Sequence, residues 1–126
     1  MTVSDFRTDL YKAMKARVST PVTVDYLPDS PSDVVSAFIY NHIPTGAGGS
    51  MRSVQVQCRA MKSADALSTA NRLSYWLDSG LDEEQIDLNG RKAVCRPTRR
   101  PKFMGRDQKE RPTYYFEVAI YGEDKE

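Results

Sequence analysis

Ser53-Val54-Gln55-Val56-Gln57-Cys58-Arg59-Ala60 alternates apolar and polar residues without a break, and a helical pattern starts at Ala64. The alternation predicts a strand with Val54, Val56, Cys58 and Ala60 on one face and Ser53, Gln55, Gln57 and Arg59 on the other. Lys62 and Ser63 turn the chain, with Ser63 as the expected N-cap and Asp65 suited to the positive end of the helix dipole. Ala66, Leu67, Ala70, Leu73, Ser74 and Leu77 recur at spacings of three and four, which predicts one apolar stripe over residues 64–78. Gly80 stands where a left-handed residue would close the helix. A half-buried strand feeding an amphipathic helix requires a sheet with helices packed on one face. That decides the fold class and is silent on function.

Towards the C-terminus, residues 113–121 form the most emphatic strand. Tyr114, Phe116, Val118 and Ile120 share one face, and Tyr115, Glu117, Ala119 and Tyr121 the other. Apolar residues on both faces predict a central strand, or one whose outer face meets a partner. Asn89-Gly90 is a strong two-residue turn signal, joining residues 86–88 to 92–96, while the acidic residues 81–87 read as loop or short turn. Towards the N-terminus, residues 34–41 read as strand. Pro44-Thr45-Gly46-Ala47-Gly48-Gly49-Ser50 reads as the flexible tip of a hairpin leading into Ser53. Residues 26–33, with Pro28 and Pro31, read as surface loop, and residues 22–24 as a short extended piece. Thr2 or Ser4 caps a first helix whose face is Phe6, Leu10, Met14 and Val18, ending near Arg17. The expected architecture is α+β, in the order α-β-β-α-β-β: a mainly antiparallel sheet of about four strands with two helices on one face. One domain spanning residues 1–126 is expected, large enough to bury roughly two-thirds of its unfolded surface.

Charge is nearly balanced overall, with 18 basic and 17 acidic residues, but it is polarised along the chain. Residues 91–112 hold nine basic residues and two acidic ones, Asp107 and Glu110, for a local charge of +7; the remainder carries −6. No apolar run of about 18 residues spans a membrane, and the N-terminus lacks the build of a signal peptide. Cys58 and Cys95 fall in expected strands and read as buried reduced thiols. The glycine pattern fits neither GxGxxG nor a phosphate loop. His42, the single histidine, reads as a surface residue beside the glycine tip. The Asp82-Glu83-Glu84 cluster reads as a solvated edge, because a metal site needs ligands converging from several elements. No serine lies in a GxSxG elbow. Trp76, beside the apolar stripe, reads as core or interface. No catalytic residue, cofactor or metal site is expected, and the chain does not read as an enzyme.

Residues 96–111 are the informative segment: Arg-Pro-Thr-Arg-Arg-Pro-Lys-Phe-Met-Gly-Arg-Asp-Gln-Lys-Glu-Arg. The run is too long and basic for an ordinary hairpin loop, and its prolines disfavour a self-sufficient hairpin. Phe103 and Met104 within a cationic run suit a docking anchor, so a projecting basic arm at about residues 96–112 is expected, ordered only on assembly. Pro101-Lys102-Phe103-Met104-Gly105-Arg106-Asp107, then Arg111 and the aromatic strand at Tyr114-Tyr115-Phe116, resembles the phage minor capsid and tail-terminator (tail completion) proteins of long-tailed bacteriophages. In that family a Pro-x-Phe-x-Gly-x-Asp segment followed by an Arg precedes the final strand, and Lys109-Glu110 here replaces the usual Asx-Gly type of turn.

The resemblance implies a structural virion protein. Such proteins form a ring, commonly of six subunits, that terminates the tail tube and joins it to the head connector. Tail tube protein and head–tail connector protein would be the partners, at the head–tail junction of virions assembled in the host cytoplasm. DNA in the ring's channel is a further expected partner, and no membrane is involved. The expected interface residues are Arg99, Arg100, Lys102, Phe103, Met104, Arg106 and Arg111, meeting a neighbour's Asp82, Glu83 and Glu84. The alternative is a small nucleic-acid-binding module using the basic 91–112 segment on phosphates.

Overall fold

The spacing of Phe6, Leu10 and Met14 at exact fours makes the first helix, α1 (Phe6–Lys15), and buries all three side chains. The computed structural model describes residues 5–46, 48–98 and 100–123. Thr2 and Ser4, the expected caps, lie outside them. Asp5 caps α1 instead, its Oδ1 accepting from Thr8 N at 2.7 Å. The chain then runs through β1 (Val22–Val24), β2 (Val34–Gly46) and β3 (Gly49–Arg59) to the second helix, α2 (Ser63–Trp76). Four strands follow: β4 (Ile86–Leu88), β5 (Arg91–Pro97), β6 (Lys102–Arg106) and β7 (Pro112–Glu123).

The strands form one sheet in the order β1-β2-β3-β7-β5-β4, with β6 also paired to β7. All pairings are antiparallel except β1 on β2, which is parallel. The expected sheet of about four mainly antiparallel strands is therefore corrected to seven in a curled, mixed half-barrel. Two of the short strands, β1 and β4, are the extended piece at 22–24 and the first arm of the Asn89-Gly90 turn at 86–88, which the count of about four left out. The strand the sequence does not show is β6, hidden in a basic, proline-flanked run with no apolar alternation.

Even-numbered positions of β3 and β7 turn inward, as the alternation predicts: Val54, Val56, Cys58, Phe116, Val118 and Ile120 are buried. Both helices feed that same core, α1 through Phe6, Leu10 and Met14, α2 through Ala70, Leu73 and, just past its end, Leu77. Leu67 and Ser74 are only half-buried, so the true stripe is narrower than the spacing suggests. Ser63 is not the cap: Lys62 holds that position without a side-chain bond, and Ser63 Oγ lies 3.3 Å from Tyr114 Oη. Gly80, at φ +71, turns the chain three residues beyond the helix's own cap, Leu77.

Asn89 and Gly90 both adopt positive φ, +55 and +89, between the paired residues Leu88 and Arg91. That is the two-residue hairpin turn those residue types favour. The glycine-rich stretch is mostly strand, because β2 and β3 pair as far as Gly46 with Gly49; Ala47 lies outside the described residues. An extra residue in β2, Tyr40, bulges between Ile39 and Asn41 and sends its hydroxyl to Glu117 Oε2 at 2.8 Å. Beneath β5 and α1 sits a buried ion pair, Arg91 Nε to Asp9 Oδ2 at 3.1 Å, with Asn89 Nδ2 donating to the other Asp9 oxygen at 3.0 Å. Arg91 Nη1 also donates to Glu123 O at 2.8 Å, tying the first helix to the end of the last strand.

Candidate assembly surfaces

The basic segment folds along the free edge of β7. β5 pairs with residues 118–122 of β7 and β6 with residues 112–115, so the two strands follow each other down one edge. Between them Thr98 N donates to Glu117 O at 2.9 Å, which keeps the interruption short. The reading of this segment as too long for a hairpin is thereby corrected. Residues 96–97 end β5 and residues 102–106 form β6, and its prolines fall outside the paired interior of β6. Met104 is an extra residue, since Phe103 pairs with Tyr114 but Gly105 already pairs with Thr113. Gly105 sits at φ +135, a backbone region closed to other residues, and this explains the glycine in the motif.

Asp107 closes the hairpin. Its Oδ1 accepts from Lys109 N at 2.9 Å and Arg111 N at 3.0 Å, and its Oδ2 from Arg111 Nε at 2.8 Å. Glu110 takes φ +61, the left-handed conformation that a glycine would otherwise supply. Arg111 is 4% exposed and reaches back to the proline loop, donating to Asp29 O at 2.6 Å and Asp29 Oδ1 at 2.9 Å. Arg59, equally buried, donates to the carbonyls of Pro28 at 2.6 Å, Pro31 at 2.8 Å and Ser32 at 3.0 Å. Two guanidiniums thus satisfy a loop that has no backbone ladder of its own, which is the condition for burying them. Burial, then the Arg111 charge, pulls Arg59 below the usual arginine value. The Arg111 hydrogen bonds pull Asp107 down to about 2. Asp29 is lowered by hydrogen bonds from Lys109 and Arg111.

Of the residues expected at an interface, Arg100, Lys102, Phe103, Met104 and Arg106 line up on or beside β6 and are exposed. Phe103 is 51% exposed and leans on the Tyr114 ring at 5.4 Å, while the bulged Met104 is 44% exposed. Arg106 donates to Glu110 O at 3.1 Å. Arg111 belongs to the loop clamp, buried away from the others. Arg99 lies outside the described residues. Asp82, Glu83 and Glu84 are exposed on the turn after Gly80, and Glu83 pairs with Arg96 of the same chain.

The local charge is largely answered within the chain. Arg91 pairs with Asp9, Lys92 with Asp87, Arg96 with Glu83, Lys109 with Asp29, and Arg111 with Asp29 and Asp107. Among the described residues only Arg100, Lys102 and Arg106 of that segment have no carboxylate partner. Asp82 and Glu84 likewise make no ion pair among them.

A second surface surrounds Trp76, the residue read as core or interface. An open groove of about 670 Å³ lies at the C-terminal end of α2, lined by Tyr75, Trp76, Arg17, Arg72, Glu84 and Ile86 among others. Tyr75 is 87% exposed, and Leu81, next in the chain after the lining residue Gly80, is fully exposed. Arg17 stacks over the Trp76 ring at 4.9 Å. The available signal was Tyr75 itself, a large aromatic lying off the Ala66, Ala70, Leu73 and Leu77 stripe.

His42 is exposed, with Nε2 2.9 Å from Ser50 Oγ. Ser50 is buried, and no carboxylate orients the imidazole among the described residues, so the pair lacks the arrangement that activates a serine. Cys58 and Cys95 are free and buried, their thiols pushed up to about 12 by burial. Among the described residues no group of three or more His, Cys, Asp or Glu is placed to hold a metal ion. No helix among them is long and apolar enough to cross a membrane. A family model described as "Bacteriophage tail terminator protein" matches residues 5–123. No curated protein gives a significant match to the sequence.

Proposed function

The chain belongs to the bacteriophage tail terminator family, whose members are structural virion components, and from that premise we propose that it closes the phage tail tube as a ring of six subunits facing the head connector. The family match over residues 5–123 carries this reading. Two features support it. The exposed β6 strand, basic and apolar together, is a surface a lone subunit leaves uncovered, and an acidic turn that could receive it lies elsewhere on the chain. The role is structural, with no reaction assigned to it. Tail tube protein and head connector protein are the partners the ring would meet on its two sides.

The nucleic-acid alternative loses support, because most of the basic segment is neutralised by its own chain. DNA in the channel then meets a ring with a thin cationic lining instead of a dedicated binding face.

Purified protein should sediment as a species of about six times the 14.2 kDa chain, and phage lacking the gene should yield unjoined heads and tails with unterminated tubes. A chain monomeric at every concentration, with normal virions from the deletion, would overturn the reading.

A further inference from the structure

We propose that Phe103 and Met104 of one subunit seat in the Tyr75 and Trp76 groove of the next, with the cations around them meeting the acidic turn after Gly80. The inference rests on the ring reading and names its contact. Both surfaces are incomplete in the isolated chain. Phe103 and Met104 stand half-exposed on a strand whose outer edge pairs with no other strand among the described residues, and Tyr75 is almost wholly exposed on an open groove.

The chain cannot join its own two surfaces. Phe103 packs against Tyr114 with the rings tilted, and Tyr114 Oη lies 3.3 Å from Ser63 Oγ, so the β6 knuckle sits at the start of α2. Tyr75 and Trp76 lie at the end of the same helix. Fourteen residues at about 1.5 Å each separate the two ends by about 20 Å along a rigid rod. A second copy must therefore bring a knuckle to each groove. The contact is heterologous, different surfaces on the two sides, which is the kind that propagates into a closed ring.

Charge selects the register. Arg100, Lys102 and Arg106 flank the knuckle without carboxylate partners among the described residues, and Asp82 and Glu84 on the groove's turn lack basic ones. Arg17 and Arg72 also line the groove, Arg17 stacked on Trp76. The acidic side chains of the lining lie on either side of Gly80, Asp78 with its Oδ1 accepting from Gly80 N at 2.9 Å and Glu84 on the turn beyond, and that is the lip a cationic strand would meet. Phe103 supplies the buried aromatic anchor, and the charges orient it.

The test uses two variants, F103D and Y75D, with M104D as the alternative knuckle change if F103D unfolds. Each alone should keep its thermal midpoint and lose self-association by about 30-fold or more, since each breaks every contact. Mixed one to one, they should form a dimer and stop there: one intact knuckle meets one intact groove, and the other two surfaces are blocked. Sedimentation velocity reads both results. Variants that still assemble like the parent would overturn this contact and leave the ring reading standing. Variants that dissociate but form no mixed dimer would also overturn it. A parent chain that never assembles would overturn both.

Discussion

Arg111 shows how a motif can be visible while its role is hidden. The spacing from Asp107 marks it in the sequence, and the cationic run around it suggests a contact with a partner. The structure instead turns it inward onto Asp29, 82 positions earlier in the chain, beside Arg59. Nothing local distinguishes a buried arginine from an exposed one, because the carbonyls that satisfy it come from a distant loop. Arg59 is hidden for the same reason: alternation puts it on the polar face, and the proline loop then covers it there. The clamp has a pH signature. Asp107 titrates at about 2 in the folded chain, chiefly through its hydrogen bonds from Arg111, against roughly 3.9 unfolded. A depressed carboxylate stabilises the fold fully above its unfolded value, and that contribution disappears as pH falls through the folded value. Asp29 is shifted the same way. Asp107→Asn should therefore lower the thermal midpoint near pH 6 and narrow the gap to wild type between about pH 4 and 2. A gap that stays constant with pH would mean the carboxylate's charge is not what Arg111 requires.

At the scale of elements, legibility followed length and period. β3, α2 and β7 each carry enough residues for alternation or helical spacing to register, and the Asn89-Gly90 turn names its own geometry. Leu73, fully buried on α2 against β3 and β7, should cost about 2–5 kcal/mol as Leu73→Ala, read from urea unfolding. A loss under about half a kcal/mol would detach α2 from the core, since even partial collapse of such a site leaves more than that. β6 was illegible because its pairing is imposed by β7 and its register is shifted by the Met104 bulge. Gly105 is the residue that permits the bulge. A methyl group added there meets nothing within 4 Å, so Gly105→Ala tests backbone conformation alone. It should destabilise by about 1–3 kcal/mol. Glu110→Gly, at the other positive-φ position of the same hairpin, should cost almost nothing, and a loss there would mean that the Glu110 side chain, not the backbone conformation, holds the turn.

At the scale of the whole molecule, the sequence's polarity survives folding only in part. The +7 segment looked like a phosphate-binding face because a linear count ignores where carboxylates from elsewhere arrive. Asp9 comes from α1, Asp29 from the proline loop, Glu83 from the turn after α2 and Asp87 from β4, and each answers a cation of that segment. Three cations, Arg100, Lys102 and Arg106, are left among the described residues, with Arg99 the one undescribed member of the run. Counterion release makes this arithmetic measurable, because the logarithm of DNA affinity falls with the logarithm of salt at about 0.9 per neutralised phosphate. Fluorescence titration of duplex DNA from low to physiological salt should give a slope no steeper than about −4 per subunit, and weak binding at the high end. A slope near −8 would mean that the intrachain pairs open on DNA and that the basic segment is a nucleic-acid face after all. A shallow slope that vanishes in the triple variant Arg100→Ser, Lys102→Ser and Arg106→Ser would assign the residual affinity to β6, the strand proposed to be covered between subunits. DNA and the neighbouring subunit would then compete for one surface, and adding DNA should shift the sedimentation profile towards smaller species at low salt.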